Sequence, residues 1–195
     1  MELPRHHELT ELLRALATGA AVDDRDLDRL FPKEARGLAR LHWTPVAVAR
    51  AAAAFLTRRP GDRLLDVGAG AGKFSLVAAL TTRAEITAIE HDGELAEIAA
   101  GLVKLHKVPR LRIVAGDAFA ADWTRFQGLY FYNPFTGGDE PAFVAAVAAT
   151  TERLSGLAAG TRVALFHGFG GPMPKDWRRV DADEIAHLTL WEKSG

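Results

Sequence analysis

One stretch constrains this chain more than any other: Arg63-Leu64-Leu65-Asp66-Val67-Gly68-Ala69-Gly70-Ala71-Gly72-Lys73-Phe74. It opens as a short apolar run, the pattern of a buried strand. It then breaks into glycines at alternate positions and closes on Phe74, Val77 and Ala78, apolar residues at helical spacing. A strand, a glycine turn and a helix in that order form the ligand-binding corner of an open parallel sheet. Gly68 and Gly70 permit a tight turn where a side chain would block it, and Gly72 lets the helix start close to the strand. A ligand can then lie against bare backbone at a helix N-terminus.

Two familiar ligand loops fit poorly. The dinucleotide fingerprint is G-x-G-x-x-G, and counted from Gly68 it places Lys73 in the third glycine position. The phosphate loop, G-x-x-x-x-G-K-[ST], would need glycine where Val67 stands and a hydroxyl residue where Phe74 stands. What remains, Asp66-x-Gly68-x-Gly70-x-Gly72, resembles motif I of the class I methyltransferases, which use S-adenosyl-L-methionine. The resemblance runs, by order of elements, from about Pro45 to the C-terminus. It implies an α/β, Rossmann-like, doubly wound and mostly parallel seven-stranded sheet with an antiparallel last strand. It further implies a methyltransferase domain over 45–195, preceded by an N-terminal helical cap segment over 1–44.

Composition narrows the function classes. The net charge of −1 gives no global field toward nucleic acid or an anionic membrane. There are no cysteines, which removes disulfides, thiolate metal sites and cysteine nucleophiles together. The first residues carry Glu2, Glu8 and Glu11 and lack a basic-then-apolar leader, so a cytoplasmic protein with no membrane association is expected.

Before the glycine loop, Leu9, Leu12, Leu13 and Leu16 form the stripe of an amphipathic helix that Gly19 can stop. Asp23-Asp24 opens a second helix with Leu27, Leu30 and Phe31 on one face, and Leu38 and Leu41 continue an apolar side to Trp43. Thr44-Pro45 reads as N-cap and first position of the next helix. Adjacent His6 and His7 share no helix face and are expected in solvent. Trp43 is either a core residue or part of a substrate rim.

Beyond the loop, Glu85 to Ile89 reads as a strand ending in Glu90-His91-Asp92. An acidic residue about 20 positions past a glycine loop accepts from ribose hydroxyls, and Glu90 stands at that distance. Asp92 suits the N-cap of a helix bearing Leu95, Ile98, Ala99, Leu102 and Leu105. His91 is placed beside the adenine edge. Leu111 to Ala115 is the third strand, followed by Gly116-Asp117-Ala118-Phe119. The resemblance gives Asp117 the adenine amino group and the neighbouring Ala118 N–H a ring nitrogen. A plain helix cap is the alternative for Asp117. Phe119 or Trp123 could pack on the adenine face.

Gly128 to Tyr132 reads as the fourth strand, ending in Asn133-Pro134-Phe135. In the family this strand end faces the transferable methyl. N-methyltransferases often carry Asp/Asn-Pro-Pro-Tyr/Phe there, with the amide holding the acceptor and the aromatic stacking on it. This chain has one proline rather than two. Asn133 and Phe135 are thus candidate catalytic residues, with an ordinary Asn-Pro turn as the alternative. A helix over Pro141–Leu154 is expected to turn Phe143, Val147 and Leu154 inward. A fifth strand over Thr161–His167 follows, then an antiparallel pair, Trp177–Val180 and His187–Trp191, with Val180 to Asp183 near its turn. The cofactor expected is S-adenosyl-L-methionine, held by Asp66, Gly68, Gly70, Gly72, Glu90, His91, Asp117 and Ala118. No metal is expected. The reaction expected is methyl transfer to a nitrogen or oxygen of a small molecule or protein side chain. Aminopropyl transfer on the same fold and a non-catalytic cofactor-binding protein are the alternatives.

Overall fold

The computed structural model describes residues 6–36, 43–135, 139–183 and 186–195. Helix α1 spans His6–Ala17 and buries Leu16 completely. Gly19 ends it at φ 83°, its N–H donating to the Leu16 carbonyl at 3.2 Å. Asp23 caps α2, Asp24–Asp28, by accepting from Arg25 N. A single turn, α3, covers Lys33–Arg36. The expected apolar positions Leu38 and Leu41 lie outside the described residues, as do the His6 and His7 side chains.

Helix α4, Val46–Leu56, corrects one expectation. Pro45 holds the cap position and offers no side-chain bond. The Thr44 hydroxyl lies instead 2.6 Å from the Tyr130 hydroxyl in the core. Each is the other's hydrogen-bond partner, and a buried hydroxyl left alone would carry a desolvation cost. The capping duty passes to Asp24, whose Oδ1 accepts from Val46 N at 2.9 Å. A carboxylate at a helix N-terminus is also favoured by the helix dipole.

The rest alternates strand and helix: β1 Arg63–Val67, α5 Lys73–Thr81, β2 Glu85–Glu90, α6 Gly93–His106, β3 Leu111–Ala115, β4 Gly128–Tyr132, α7 Glu140–Ser155 and β5 Arg162–Phe166. Strands β6, Trp177–Asp183, and β7, Leu188–Lys193, follow with no helix between β5 and β6. The sheet has seven strands in the order β3-β2-β1-β4-β5-β7-β6. β1 to β5 pair in parallel, and β7 pairs antiparallel with β5 and β6. Strand order reverses between β1 and β4, the switch point where open sheets bind ligands.

Both faces of the sheet are covered, so its central strands are mostly apolar, with Asp66 a buried exception in β1. Leu64, Tyr130 and Phe166 pack on the side of α1, α4 and α5. Leu65, Leu129, Phe131 and Leu165 pack on the other side with Trp123, Leu154 and Trp177. The period of two along each strand sorts neighbours onto opposite faces.

Two further expectations are corrected. Val180 to Asp183 belong to β6 itself, and the pairing with β7 slips between Arg179 and Asp181. That slip leaves Val180 as the extra residue of a bulge. Leu105 is 62% exposed, whereas Ala96, Ala99 and Leu102 of the same helix are buried. Steps of three residues drift about 60° around a helix, so by Leu105 the stripe has turned away from the sheet.

Candidate active site

The glycine loop is built where β1 ends beside β2 and β4. The N–H groups of Gly68 and Ala69 both donate to the Ile89 carbonyl at 3.0 Å. Gly68 sits at φ 70°, and a Cβ there would lie 2.8 Å from the Pro134 Cβ. Glycine at 68 therefore lets the Asn133-Pro134 segment close against the loop. Gly70, at φ 57°, faces open space. Gly72, at φ 85°, does different work: a Cβ there would meet the Ala99 Cβ at 3.2 Å, so this glycine lets α5 and α6 approach.

A cavity of about 680 Å³ lies over these strand ends. Of the residues proposed from sequence, Gly68, Gly70, Glu90, His91, Asp117, Ala118, Asn133 and Phe135 line it together. Gly72 and Asp66 are not among the lining residues. The Asp66 carboxylate is turned under the loop, where Oδ2 accepts from the Ser75 hydroxyl at 2.6 Å. Burial raises the Asp66 pKa from 3.8 to about 7; the Ser75 bond opposes the rise and the Glu90 charge adds to it.

Glu90 is tied at both oxygens. Oε2 accepts from Gly70 N at 2.6 Å and Oε1 from Asp92 N at 2.8 Å. Each carboxylate oxygen has two lone pairs, so Glu90 braces the loop and keeps acceptor capacity toward the cavity. Asp92 caps α6 as expected, accepting from Glu94 N and Leu95 N. Asp117 both lines the cavity and caps a short 3₁₀ turn, Oδ1 accepting from Phe119 N at 2.8 Å. Its two readings are thus compatible, one oxygen for each. Phe119 lines the cavity and stacks on Phe135 at 5.7 Å between centroids. Trp123 is in the core, its indole N–H donating to the Ala118 carbonyl.

Asn133 follows β4 at φ 39°, an uncommon conformation for a side chain larger than glycine. Its N–H donates to the Gly168 carbonyl at 3.1 Å, which holds the turn open beside the cavity. His167 and His187 share this left-handed conformation, at φ 57° and 53°. Their rings lie 4.7 Å apart, tilted by 30°, and His167 stands 5.7 Å from the Tyr132 ring. Desolvation, then the nearby His187, lowers the His167 pKa.

Several residues of the site escaped the sequence reading. Tyr132 and Phe143 line the cavity; Trp43, offered by the sequence as core or rim, is buried and lines it too. Arg153 reaches from α7 to the Phe119 and Ala121 carbonyls and lies over the Phe119 ring, fixing the segment that carries Asp117. Lys73 is 4% exposed, with Nζ 2.6 Å from Asp24 and 2.7 Å from Asp28. That places the first helices against the start of α5.

The geometry accords with what the chain resembles. Residues 42–126 match the family model of protein-L-isoaspartate (D-aspartate) O-methyltransferase. No curated protein matches the sequence significantly. Among solved structures, TrmN from Thermus thermophilus aligns at TM-score 0.63 and 20% identity, covering 83% of this chain and 52% of that one, so this chain spans about half its length. An RNA methyltransferase from Salinibacter ruber, in complex with S-adenosyl-L-homocysteine, aligns at TM-score 0.58 and 24% identity over 77% of this chain and 92% of that one. MtNAS in complex with MTA and tNA aligns at TM-score 0.58 and 14% identity over 97% of this chain and 71% of that one. The family model matches across the glycine loop, and the sheet topology is shared with these structures, so the chain has the Rossmann-like fold of the class I S-adenosylmethionine-dependent methyltransferases.

Proposed function

We propose that this protein transfers the methyl group of S-adenosylmethionine to a nitrogen or oxygen of a small molecule or protein side chain. The observation that carries this is one cavity joining the glycine loop, Glu90 and Asp117 at one end to Asn133 and Phe135 at the other. The residues fit the cofactor. Gly68 and Gly70 offer bare backbone, Glu90 keeps acceptor lone pairs for a vicinal diol, and Asp117 keeps its second oxygen for an amino group. Ala118 N–H would donate to the adenine ring, with His91 at its edge and Phe119 against its face. Asp66 and Gly72 would act only through the loop they shape.

The sulfonium supplies an already activated methyl group. The chain's own task is to hold the acceptor in line and exclude water. Asn133 would accept from the acceptor's N–H or O–H while Phe135 packs on its body. Residues 1–44 would form a cap beside this site, touching it through Trp43.

Calorimetry with S-adenosylmethionine, S-adenosylhomocysteine and NAD tests the cofactor assignment, and tighter binding of NAD would overturn it. Asn133→Ala should lower turnover at least a hundredfold while leaving cofactor affinity within threefold. A wild-type rate per folded molecule would return Asn133 to a turn role. A second reading draws on the MtNAS match, which covers 97% of this chain against 77% and 83% for the two methyltransferases described above. It is transfer of the aminopropyl-type arm of the sulfonium instead of the methyl. The nucleoside left behind separates the two, because only arm transfer leaves methylthioadenosine. Cofactor binding with no turnover on any acceptor would favour the non-catalytic alternative.

A further inference from the structure

The cavity is chemically lopsided. Its carboxylates Glu90, Asp92 and Asp117, with His91, stand at the ends of β2 and β3. Its other end, formed by the end of β4 and the first turns of α7, carries the rings of Tyr132, Phe135 and Phe143 with the amide of Asn133. Among the described lining residues there is no lysine or arginine. The sequence between Phe135 and Asp139 is Thr-Gly-Gly, with no ionisable side chain. β2 and β4 lie on either side of β1, two strand spacings or about 10 Å apart, so the carboxylates serve one end only.

That distribution selects among acceptors. A carboxylate, as on an isoaspartyl residue, or a phosphate chain would need a cation to replace its water. A hydroxyl must lose its proton as the new bond forms, which needs a base within reach. The ionisable group among the described lining residues of this end is Tyr132, and burial raises its pKa above 10.0, so it stays protonated; Asp139 and Glu140, at the start of α7, are exposed and outside that lining. His167 and His187 lie outside the described lining, beyond the Tyr132 ring. A neutral amine needs neither cation nor base, and an apolar site holds an amine neutral.

Resting on the methyl-transfer reading, we propose that the acceptor is a small arylalkyl amine, its ring packed among Tyr132, Phe135 and Phe143 and its N–H given to Asn133. The amine lone pair forms the nitrogen–carbon bond. The carbon–sulfur bond breaks, and its electron pair returns to sulfur, which becomes a neutral thioether. The positive charge passes to the nitrogen. The proton leaves to water once the methylammonium product departs.

The test uses the full chain, S-adenosylmethionine with a labelled methyl group, and four acceptors: phenethylamine, 4-ethylphenol, phenylacetate and a short RNA. Mass spectrometry reads the product, and calorimetry reads cofactor binding in the same preparation. Transfer to phenethylamine at ten times or more the rate of the other three is the expected result. Phe143→Ala should then raise the KM for phenethylamine at least tenfold and leave cofactor affinity within twofold. Cofactor binding with transfer to phenylacetate, the phenol or RNA, or to none of the four, overturns the amine assignment and leaves the methyltransferase reading standing. An unchanged KM in folded Phe143→Ala also overturns it. Failure to bind the cofactor at all overturns both.

Discussion

Lys73→Met tests how the first helices are held. Lys73 is the first residue of α5, and its Nζ lies between Asp24 at 2.6 Å and Asp28 at 2.7 Å. Methionine keeps most of the buried stem and deletes the charge. The two carboxylates are not equivalent, because the Asp28 side chain is 22% exposed and that of Asp24 is 45% exposed. A charged hydrogen bond to a mostly buried partner contributes about 1.5–3 kcal/mol. The Asp24 pair is screened by water and adds about 0.2–1 kcal/mol. The sum is about 2–4 kcal/mol, and in a chain of this size it lowers Tm by roughly 5–15 °C. Burial already raises the Asp28 pKa against the opposing pull of Lys73, so loss of the lysine leaves that carboxylate poorly solvated. Thermal and urea unfolding of Lys73→Met, Asp28→Asn and the double variant measure the effect. The double variant should fall short of the sum of the singles by about 1 kcal/mol or more. Because Trp43 lies 5.7 Å from Nζ and also lines the cavity, the single variant should weaken cofactor binding as well. A loss of stability below about 0.5 kcal/mol would refute the account, since that is the range of ordinary surface substitutions.

Asp66 gives a pH signature. Its folded pKa, about 7, is above the reference 3.8, so the protonated form favours the fold. The contribution is full below about pH 4 and is lost as pH rises toward 7, by at most about 4 kcal/mol. Stability measured from pH 4 to 8 should therefore fall more steeply in wild type than in Asp66→Asn, and equal slopes would contradict the burial of that carboxyl. The two loop glycines should separate. Gly70→Ala meets no neighbour within 4 Å and costs about 1–2 kcal/mol for its left-handed backbone while abolishing cofactor binding. Gly68→Ala adds a Cβ 2.8 Å from Pro134 and should cost a further 1 kcal/mol or more by about the overpacking scale. Calorimetry and melting curves on the two variants check both.

Much of the fold was legible in the chain. The strands β1 to β5 announced themselves as short apolar runs ending in glycine, acid or Asn-Pro. The caps at Asp23 and Asp92 and the stop at Gly19 followed from local hydrogen bonding, which needs only near neighbours in sequence. So did the positions of Glu90, Asp117 and Asn133 at strand ends, because a parallel sheet brings the carboxyl ends of its strands to one edge.

What sequence could not assign was every choice between two chemically reasonable partners far apart in the chain. Thr44 could have capped α4 but pairs with Tyr130, 86 positions away, while Asp24 takes the cap. Asp66 could have faced the cavity, yet Ser75 holds it beneath the loop. Lys73 looked like a spoiled third glycine and became the buried partner of two aspartates. Leu105 kept the helical stripe in sequence and lost it in space, since the stripe drifts with each turn. The sequence by itself determined the succession of strands and helices along the chain and the loop that opens the site, because these depend on periodicity and backbone freedom within a few residues. Tertiary structure alone decided which polar groups were buried and against whom, because a hydrogen bond or ion pair depends on which distant segments the packed sheet brings within 3 Å.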